Sequence, residues 1–90
     1  MVKHLNIHIY GRVQGVFYRA TAMEVANNIG IKGFARNERD GSVYIEAEGE
    51  GDKLIEFIDW CYIGPPIAKV EKVLKEEGSM KNYSNFVIDR

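Results

Sequence analysis

Polar and apolar residues alternate one by one near the N-terminus, where Leu5, Ile7 and Ile9 are separated by polar side chains. A period of two is typical of a strand with one buried face, so we predict the first strand here. Farther along, apolar residues at helical spacing predict a first helix, and Gly30 is a typical helix stop. This helical stripe consists of Tyr18, Ala22, Val25, Ala26 and Ile29.

The middle of the chain predicts two strands joined by a tight turn. The strands are expected from Ile31 to Asn37 and from Val43 to Glu48. Between them lies Asp40-Gly41, a pair that favours a hairpin turn.

The C-terminal half predicts one more helix and two strands. The second helix has its apolar residues at helical spacing and should end at Gly64-Pro65-Pro66. Those apolar residues are Leu54, Ile55, Ile58 and Cys61. A strand follows from Ala68 to Glu77, in which Val70 and Val73 differ in parity and indicate a bulge. A short last strand is expected at Phe86 to Ile88.

The order strand, helix, strand, strand, helix, strand predicts an α+β sandwich of the ferredoxin-like type. We expect an antiparallel sheet with two helices on one face and a short extra C-terminal strand, in a single domain over residues 1–90. In this topology the third strand lies between the first two. The C-terminal ends of the first and second strands therefore reach the same edge of the sheet.

Composition excludes several classes of protein. The 12 Lys and Arg residues nearly balance the 13 Asp and Glu residues, so we expect no nucleic-acid partner. Cys61 is the single cysteine and lies among apolar residues, which indicates a buried thiol in a reducing compartment. The alternating N-terminus does not resemble a signal peptide, and no apolar run could span a bilayer. We therefore predict a cytoplasmic protein without a membrane partner.

Two glycines and an arginine follow the first strand, in the stretch Gly11-Arg-Val-Gln-Gly15-Val-Phe-Tyr-Arg19. Glycines allow successive backbone N–H groups to turn toward one anion, and the helix N-terminus adds partial positive charge. Arg19 could add a planar fork of donors. Each glycine alone is explained by a plain turn, but the combination favours an anion site. The spacing differs from that of a nucleotide-binding P-loop.

Three segments resemble a known family, the acylphosphatases. Gly11 to Arg19 (GRVQGVFYR) and Gly33 to Asn37 (GFARN) are similar to its two signature motifs, and Gly64 to Val73 (GPPIAKVEKV) resembles the segment after its second helix. Tyr18 departs from the pattern, in which phenylalanine is more usual, but it keeps the aromatic ring.

The resemblance implies hydrolysis of acyl phosphates to a carboxylate and inorganic phosphate, with no metal and no cofactor. It also implies that Arg19 binds the phosphoryl group and that Asn37 orients the attacking water. The phosphoryl group would also be bound by the backbone amides of a loop comprising Gly11, Arg12, Val13, Gln14, Gly15, Val16, Phe17 and Tyr18. We expect a small monomeric enzyme, and the chain's end at Arg90 favours a free-standing enzyme over a domain of a larger protein.

The predicted topology brings Asn37 toward the glycine loop. Asn37 has the same parity as Ile31, Gly33 and Ala35, which places it on the helix-covered face. Two strand spacings, about 10 Å, should separate it from the loop. Taken alone, Asn37 is better explained as a turn residue.

Other polar residues are not assigned to the site. His4 and His8 are about 13 Å apart along a strand, too far to share a metal ion, and we expect them at the surface or on a face of the sheet. Glu46, Glu48 and Glu50 are expected to form a solvated stripe on the outer face. Three other arginines are interpreted as peripheral charges: Arg12, Arg36 and Arg39.

Two alternatives remain open. The same order of elements occurs in RNA-binding and small-ligand-binding modules, although the aromatic RNA-recognition pattern is absent. The chain also resembles the acylphosphatase-like domain of larger carbamoyl-transferring maturation proteins.

Overall fold

A computed structural model describes residues 1–89. The elements in chain order are β1 (Val2–Arg12), α1 (Tyr18–Ile29), β2 (Lys32–Asn37), β3 (Val43–Glu50), α2 (Gly51–Ile63), β4 (Lys69–Gly78) and β5 (Phe86–Ile88). None of the helices in this part of the chain has the length and apolar character needed to cross a bilayer.

The sheet has the strand order β4-β1-β3-β2-β5. β1 runs antiparallel to β3 and β4, and β2 runs antiparallel to β3, so the predicted ferredoxin-like arrangement is confirmed. The extra strand β5 lies beside β2 in parallel orientation, which makes the five-stranded sheet mixed rather than wholly antiparallel. α1 contacts β2 and β5, whereas α2 contacts β4, β3 and β1.

One hydrophobic core lies between the helices and the sheet. Alternate residues of β1 and β3 face it, as predicted, and the buried residues of α1 are Tyr18, Ala22 and Ala26. In α2 the prediction was wrong at Ile55, which is 66% exposed, because Phe57 occupies the inward position. Leu54, Phe57, Ile58 and Cys61 have the spacing of one helical face, and Ile55 lies outside it.

The predicted irregularity in β4 is a bulge opposite Gly11. Tyr10 pairs with Lys72 and Gly11 pairs with Val70, so Glu71 is the extra residue. Gly11 has φ +130°, and a Cβ atom there would overlap the carbonyl oxygen of Lys69. Gly11 is therefore needed for close strand packing and belongs to β1, not to the loop in which we expected it.

Residues 79–85 cover the part of the outer face around His4 and Glu48, where a solvated acidic stripe was predicted, whereas Glu50 is exposed as expected. Glu48 is only 3% exposed and His4 only 2%. Glu48 accepts hydrogen bonds from the backbone N–H groups of Lys81 (2.6 Å) and Tyr83 (3.0 Å). The expected solvent exposure of Glu48 was wrong, and of the two positions expected for His4 the structure has the face of the sheet and not the surface. Strand periodicity does not reveal what a later segment covers.

Both ring nitrogens of His4 face oxygen atoms in this covered cluster. Nδ1 lies 2.6 Å from the Glu48 carboxylate and Nε2 lies 2.8 Å from Oδ1 of Asn6. Glu46 accepts hydrogen bonds from the hydroxyls of Tyr44 and Tyr83. The buried polar groups are thus satisfied by one another and by the C-terminal segment.

The hydroxyl of Tyr18 joins the start of α1 to the end of α2. It donates a 2.7 Å hydrogen bond to the carbonyl oxygen of Cys61, which lies in the last turn of α2. Carbonyls in a last turn have no partner within their own helix, so this hydroxyl caps α2. Burial raises the pKa of Tyr18, so the hydroxyl stays protonated as a donor.

We predict that Tyr18→Phe lowers the free energy of unfolding by about 1 kcal/mol, because the Cys61 carbonyl loses its buried partner. Urea unfolding monitored by circular dichroism measures the change. The matched control is Tyr62→Phe on the exposed face of α2, which should leave stability unchanged. Equal effects of the two substitutions would contradict the capping role.

Stability should also depend on the ionisation of the covered carboxyls. Burial opposes ionisation of Glu46 and Glu48, but their hydrogen-bond donors outweigh it and hold both pKa values below the usual 4.5. The unfolded chain then takes up protons at higher pH than the folded chain does, so these carboxylates stabilise the fold above about pH 4.5. This stabilisation is lost as the pH falls through the folded-state values.

We therefore predict a smaller loss of unfolding free energy between about pH 6 and pH 3.5 in Glu48→Gln than in the wild-type chain. Urea midpoints measured across this range test the prediction. Glu56→Gln, an exposed substitution on α2, should retain the wild-type pH dependence. If Glu48→Gln retained it as well, the carboxyl of Glu48 would not be the group responsible.

Candidate active site

The loop between β1 and α1, residues 13–17, is anchored by side chains that point into the core. Val13 and Val16 are buried, and so is Tyr18 at the first position of α1. Because these side chains point inward, the intervening backbone is free to face outward. The apolar residues of the sequence V-Q-G-V-F-Y thus anchor the loop to the core.

The backbone of this loop has the form of an anion-binding nest. Gly15 has φ +74° and Phe17 has φ +67°, whereas Val16 between them is not in the positive-φ region. Such alternation turns successive N–H groups toward one side of the chain. Within residues 1–89, the amides of Gly15, Val16 and Phe17 donate to no protein acceptor.

The N-terminus of α1 adds positive potential at the same place. Phe17 is the N-cap residue and forms no side-chain cap, and the first turn contains no acidic residue. The partial positive charge of the helix end is therefore not neutralised locally. Arg19 lies in this first turn, and it forms no ion pair with a carboxylate in the described part of the chain.

Arg19 and Asn37 line one cavity of about 320 Å³ beside the loop. The complete lining is Val13, Gly15, Phe17, Tyr18, Arg19, Ala20, Asn37 and Ile88. Oδ1 of Asn37 is buried and has no hydrogen-bond partner among residues 1–89. A buried polar atom without a partner is costly, so this oxygen marks a position where a ligand or water donor would fit.

The cavity does not include every residue expected at the site. Gly11 and Arg12 belong to β1, and neither they nor Gln14 and Val16 contribute to the lining. Sequence reasoning missed Ala20 and Ile88. The parity that Ile88 shares with the buried Phe86 was a usable signal, because it places both residues on the helix-covered face.

The side chain of Gln14 bonds to the β2–β3 turn instead of the cavity. Its amide nitrogen donates to the carbonyl oxygens of Glu38 at 2.7 Å and Ser42 at 2.9 Å. Glu38 directly follows Asn37 in the chain. The loop and the end of β2 are thus connected across the edge of the sheet.

The other candidate groups lie outside the cavity. Arg36 faces Glu38 and Asp89 and lies over the rings of Phe34 and Tyr44, so it is paired elsewhere. The thiol of Cys61 is fully buried, as predicted, and burial raises its pKa to about 12, which keeps it protonated. No group of three or more potential metal-ligating side chains occurs within residues 1–89.

A larger cavity of about 550 Å³ lies between α2 and the edge strand β4. Its floor includes Leu5, Leu54 and Ile58, and none of the residues predicted at the site lines it. Size therefore does not identify the site here. The smaller cavity combines free amides, a cation and a carboxamide, which is the set of groups needed to bind an oxyanion.

Comparisons with known proteins point to one family. A family model described as Acylphosphatase matches residues 5–88. An acylphosphatase of Ligilactobacillus salivarius (strain UCC118) is 42% identical over 88 residues, which cover 97% of this chain and 98% of the relative. The crystal structure of acylphosphatase from Bacillus subtilis superposes with a TM-score of 0.95 at 32% identity and covers 100% of both chains.

The same fold also occurs inside a larger protein. Full-length HypF, crystallised in a phosphate- and nucleotide-bound form, matches 100% of this chain with a TM-score of 0.90 at 27% identity. The match covers 12% of the HypF chain. Because the family match and the curated relative both extend over nearly the whole sequence, the chain belongs to the acylphosphatase family of hydrolases that act on acid anhydrides.

Proposed function

We propose that this protein hydrolyses acyl phosphates in the cavity beside the β1–α1 loop, with Arg19 and Asn37 as its catalytic residues. The observation that carries the proposal is the shared cavity, which brings the free loop amides, Arg19 and the unpartnered oxygen of Asn37 together. Membership of the family supports the reaction type.

The phosphoryl group would lie against the loop, where its oxygens accept hydrogen bonds from the amides of Gly15 and Phe17, two residues that line the cavity. Arg19 would donate two parallel hydrogen bonds to the same group. Phosphoryl transfer spreads charge over the equatorial oxygens in a loose transition state. Donors fixed in advance around these oxygens stabilise that charge without reorganising during the reaction.

Asn37 would hold the attacking water on the opposite side of the cavity. Its Oδ1 accepts a hydrogen bond from the water, and its Nδ2 can donate to a phosphoryl oxygen. The two contacts place the water oxygen near phosphorus in a defined direction, which lowers the entropic part of the barrier.

The chemistry needs little help from titratable side chains. The water oxygen forms a bond to phosphorus, and the bond between phosphorus and the acyl oxygen breaks, with its electron pair leaving on the carboxylate. A carboxylate is a good leaving group, so no general acid is required. None of the residues that line the cavity is a histidine or a carboxylate. The phosphoryl oxygens therefore accept the proton of the water.

We predict that the purified protein hydrolyses benzoyl phosphate in the presence of EDTA and leaves p-nitrophenyl phosphate almost untouched. The phenolate of the second compound is a poorer leaving group, and the cavity supplies no acid to protonate it. Release of inorganic phosphate from both compounds measures the difference. Inactivity toward every acyl phosphate offered would remove the enzymatic proposal.

We further predict that Arg19→Ala lowers kcat/KM by about 10²-fold or more and abolishes competitive inhibition by inorganic phosphate. Asn37→Ala should lower kcat by a similar factor, roughly 10²-fold, yet leave inhibition by phosphate largely intact. Initial rates with benzoyl phosphate, measured at several phosphate concentrations, separate the two effects.

Matched controls are available at exposed positions outside the cavity. Arg39→Ala in the β2–β3 turn and Asn27→Ala on α1 should both retain nearly wild-type kinetics. If Asn37→Ala kept most of its rate, the assignment of the water to this residue would be wrong.

A further inference from the structure

We propose that Gln14 is a positioning residue that sets where Asn37 stands relative to the phosphate-binding groups. The inference rests on the proposed function, because it concerns the alignment of the water with the bound phosphoryl group. It assigns to the Gln14 side chain a role separate from the backbone amides of its loop.

The Gln14 side chain forms a two-point connection across the cavity edge. Both of its amide protons are used, one on the carbonyl of Glu38 (2.7 Å) and one on the carbonyl of Ser42 (2.9 Å). Two hydrogen bonds from one planar amide fix an orientation as well as a distance. Within residues 1–89, no other side-chain hydrogen bond joins the β1–α1 loop to this turn.

The turn that Gln14 contacts is itself closed by internal hydrogen bonds. The N–H of Glu38 donates to the Ser42 carbonyl at 2.8 Å, and the N–H of Gly41 donates to the Glu38 carbonyl at 3.2 Å. The Asp40 carboxylate accepts from both the N–H and the hydroxyl of Ser42. The turn is therefore closed by its own hydrogen bonds, and Glu38, which Gln14 contacts, directly follows Asn37 in the chain.

The proposed catalytic groups lie on two sides of this connection. The loop amides and Arg19 belong to the segment that carries Gln14, whereas Asn37 ends β2 on the other side. Oδ1 of Asn37 has no partner of its own among residues 1–89, so no hydrogen bond to that oxygen fixes it across the cavity. Pairing with Val43 in β3 holds the backbone of Asn37, and the Gln14 contacts then adjust the distance between the phosphoryl group and the water.

This arrangement predicts a specific kinetic effect. Loss of the connection leaves the phosphate-binding groups in place on their own segment but lets the end of β2 shift. Ground-state binding should therefore change little, while the turnover rate falls because a misplacement of about 1 Å can cost 10²-fold in rate. A merely structural residue would lower the stability of the protein without this selective loss of kcat.

The substitution to test is Gln14→Met, which keeps the length of the side chain and removes both donors. We expect kcat for benzoyl phosphate to fall about tenfold or more, with KM and the inhibition constant of inorganic phosphate changed by less than about threefold. The control is Ile58→Val in the core of α2. It should lower the urea midpoint of unfolding by an amount comparable to that of Gln14→Met and leave kcat unchanged.

A double-mutant cycle tests whether Gln14 acts through Asn37. In the Asn37→Ala background, Gln14→Met should lower the residual rate by less than about twofold, because the group that it positions is already absent. If the residual rate of Asn37→Ala is too low to measure, the side-chain amide resonances of Asn37 replace it as the readout. In the phosphate-saturated protein, Gln14→Met should shift or broaden them, and Ile58→Val should not.

The outcomes separate this inference from the proposed function. Equal losses caused by Gln14→Met in the wild-type and Asn37→Ala backgrounds would overturn the positioning role. Unchanged kcat would overturn it too, whether or not inhibition by phosphate is weakened. Unchanged side-chain resonances of Asn37 would also overturn it. In each of these cases the wild-type protein still hydrolyses acyl phosphates. If the wild-type protein does not hydrolyse them, the proposed function itself fails.

Discussion

The exposed backbone amides of the β1–α1 loop are the feature on which the rest of the site depends. They face outward because Val13, Val16 and Tyr18 bury their side chains on the other side of the backbone. The left-handed conformations of Gly15 and Phe17 turn the N–H groups together. The core thus anchors alternate side chains of the loop and keeps its backbone N–H donors unpaired. A flexible loop would close on itself and pair these donors with its own acceptors.

The rest of the fold positions the other wall of the cavity. Antiparallel pairing of β1 and β2 with β3 brings the C-terminal ends of β1 and β2 to one edge, so Asn37 faces the loop across the sheet. On the outer face, Glu48 holds the segment that leads to β5. β5 then pairs with β2 and places Ile88 at the cavity. A buried polar cluster outside the cavity therefore contributes to the shape of the candidate site.

Local periodicity was sufficient for most of the fold. Strand alternation, the helical stripe of α1, the stop at Gly30 and the bulge in β4 all follow from residues close together in sequence, and the structure confirms them. Errors arose where a side chain's environment comes from a distant segment. Ile55 is apolar but lies outside the buried face of α2. His4 and Glu48 occupy strand positions whose alternation predicts exposure, but residues 79–85 cover them in the folded chain.

Residue type and short-range spacing were enough to predict the order of elements and the glycine loop, and they carry the resemblance to the acylphosphatase motifs. Three features could be seen only in the folded chain: Gly11 serves strand packing, the Gln14 side chain bonds to the β2–β3 turn, and the Asn37 oxygen lies unpartnered in a cavity. These facts depend on atoms brought together from residues more than fifteen positions apart in the chain. Such contacts follow from the packing of the sheet and leave no periodic signal in the sequence.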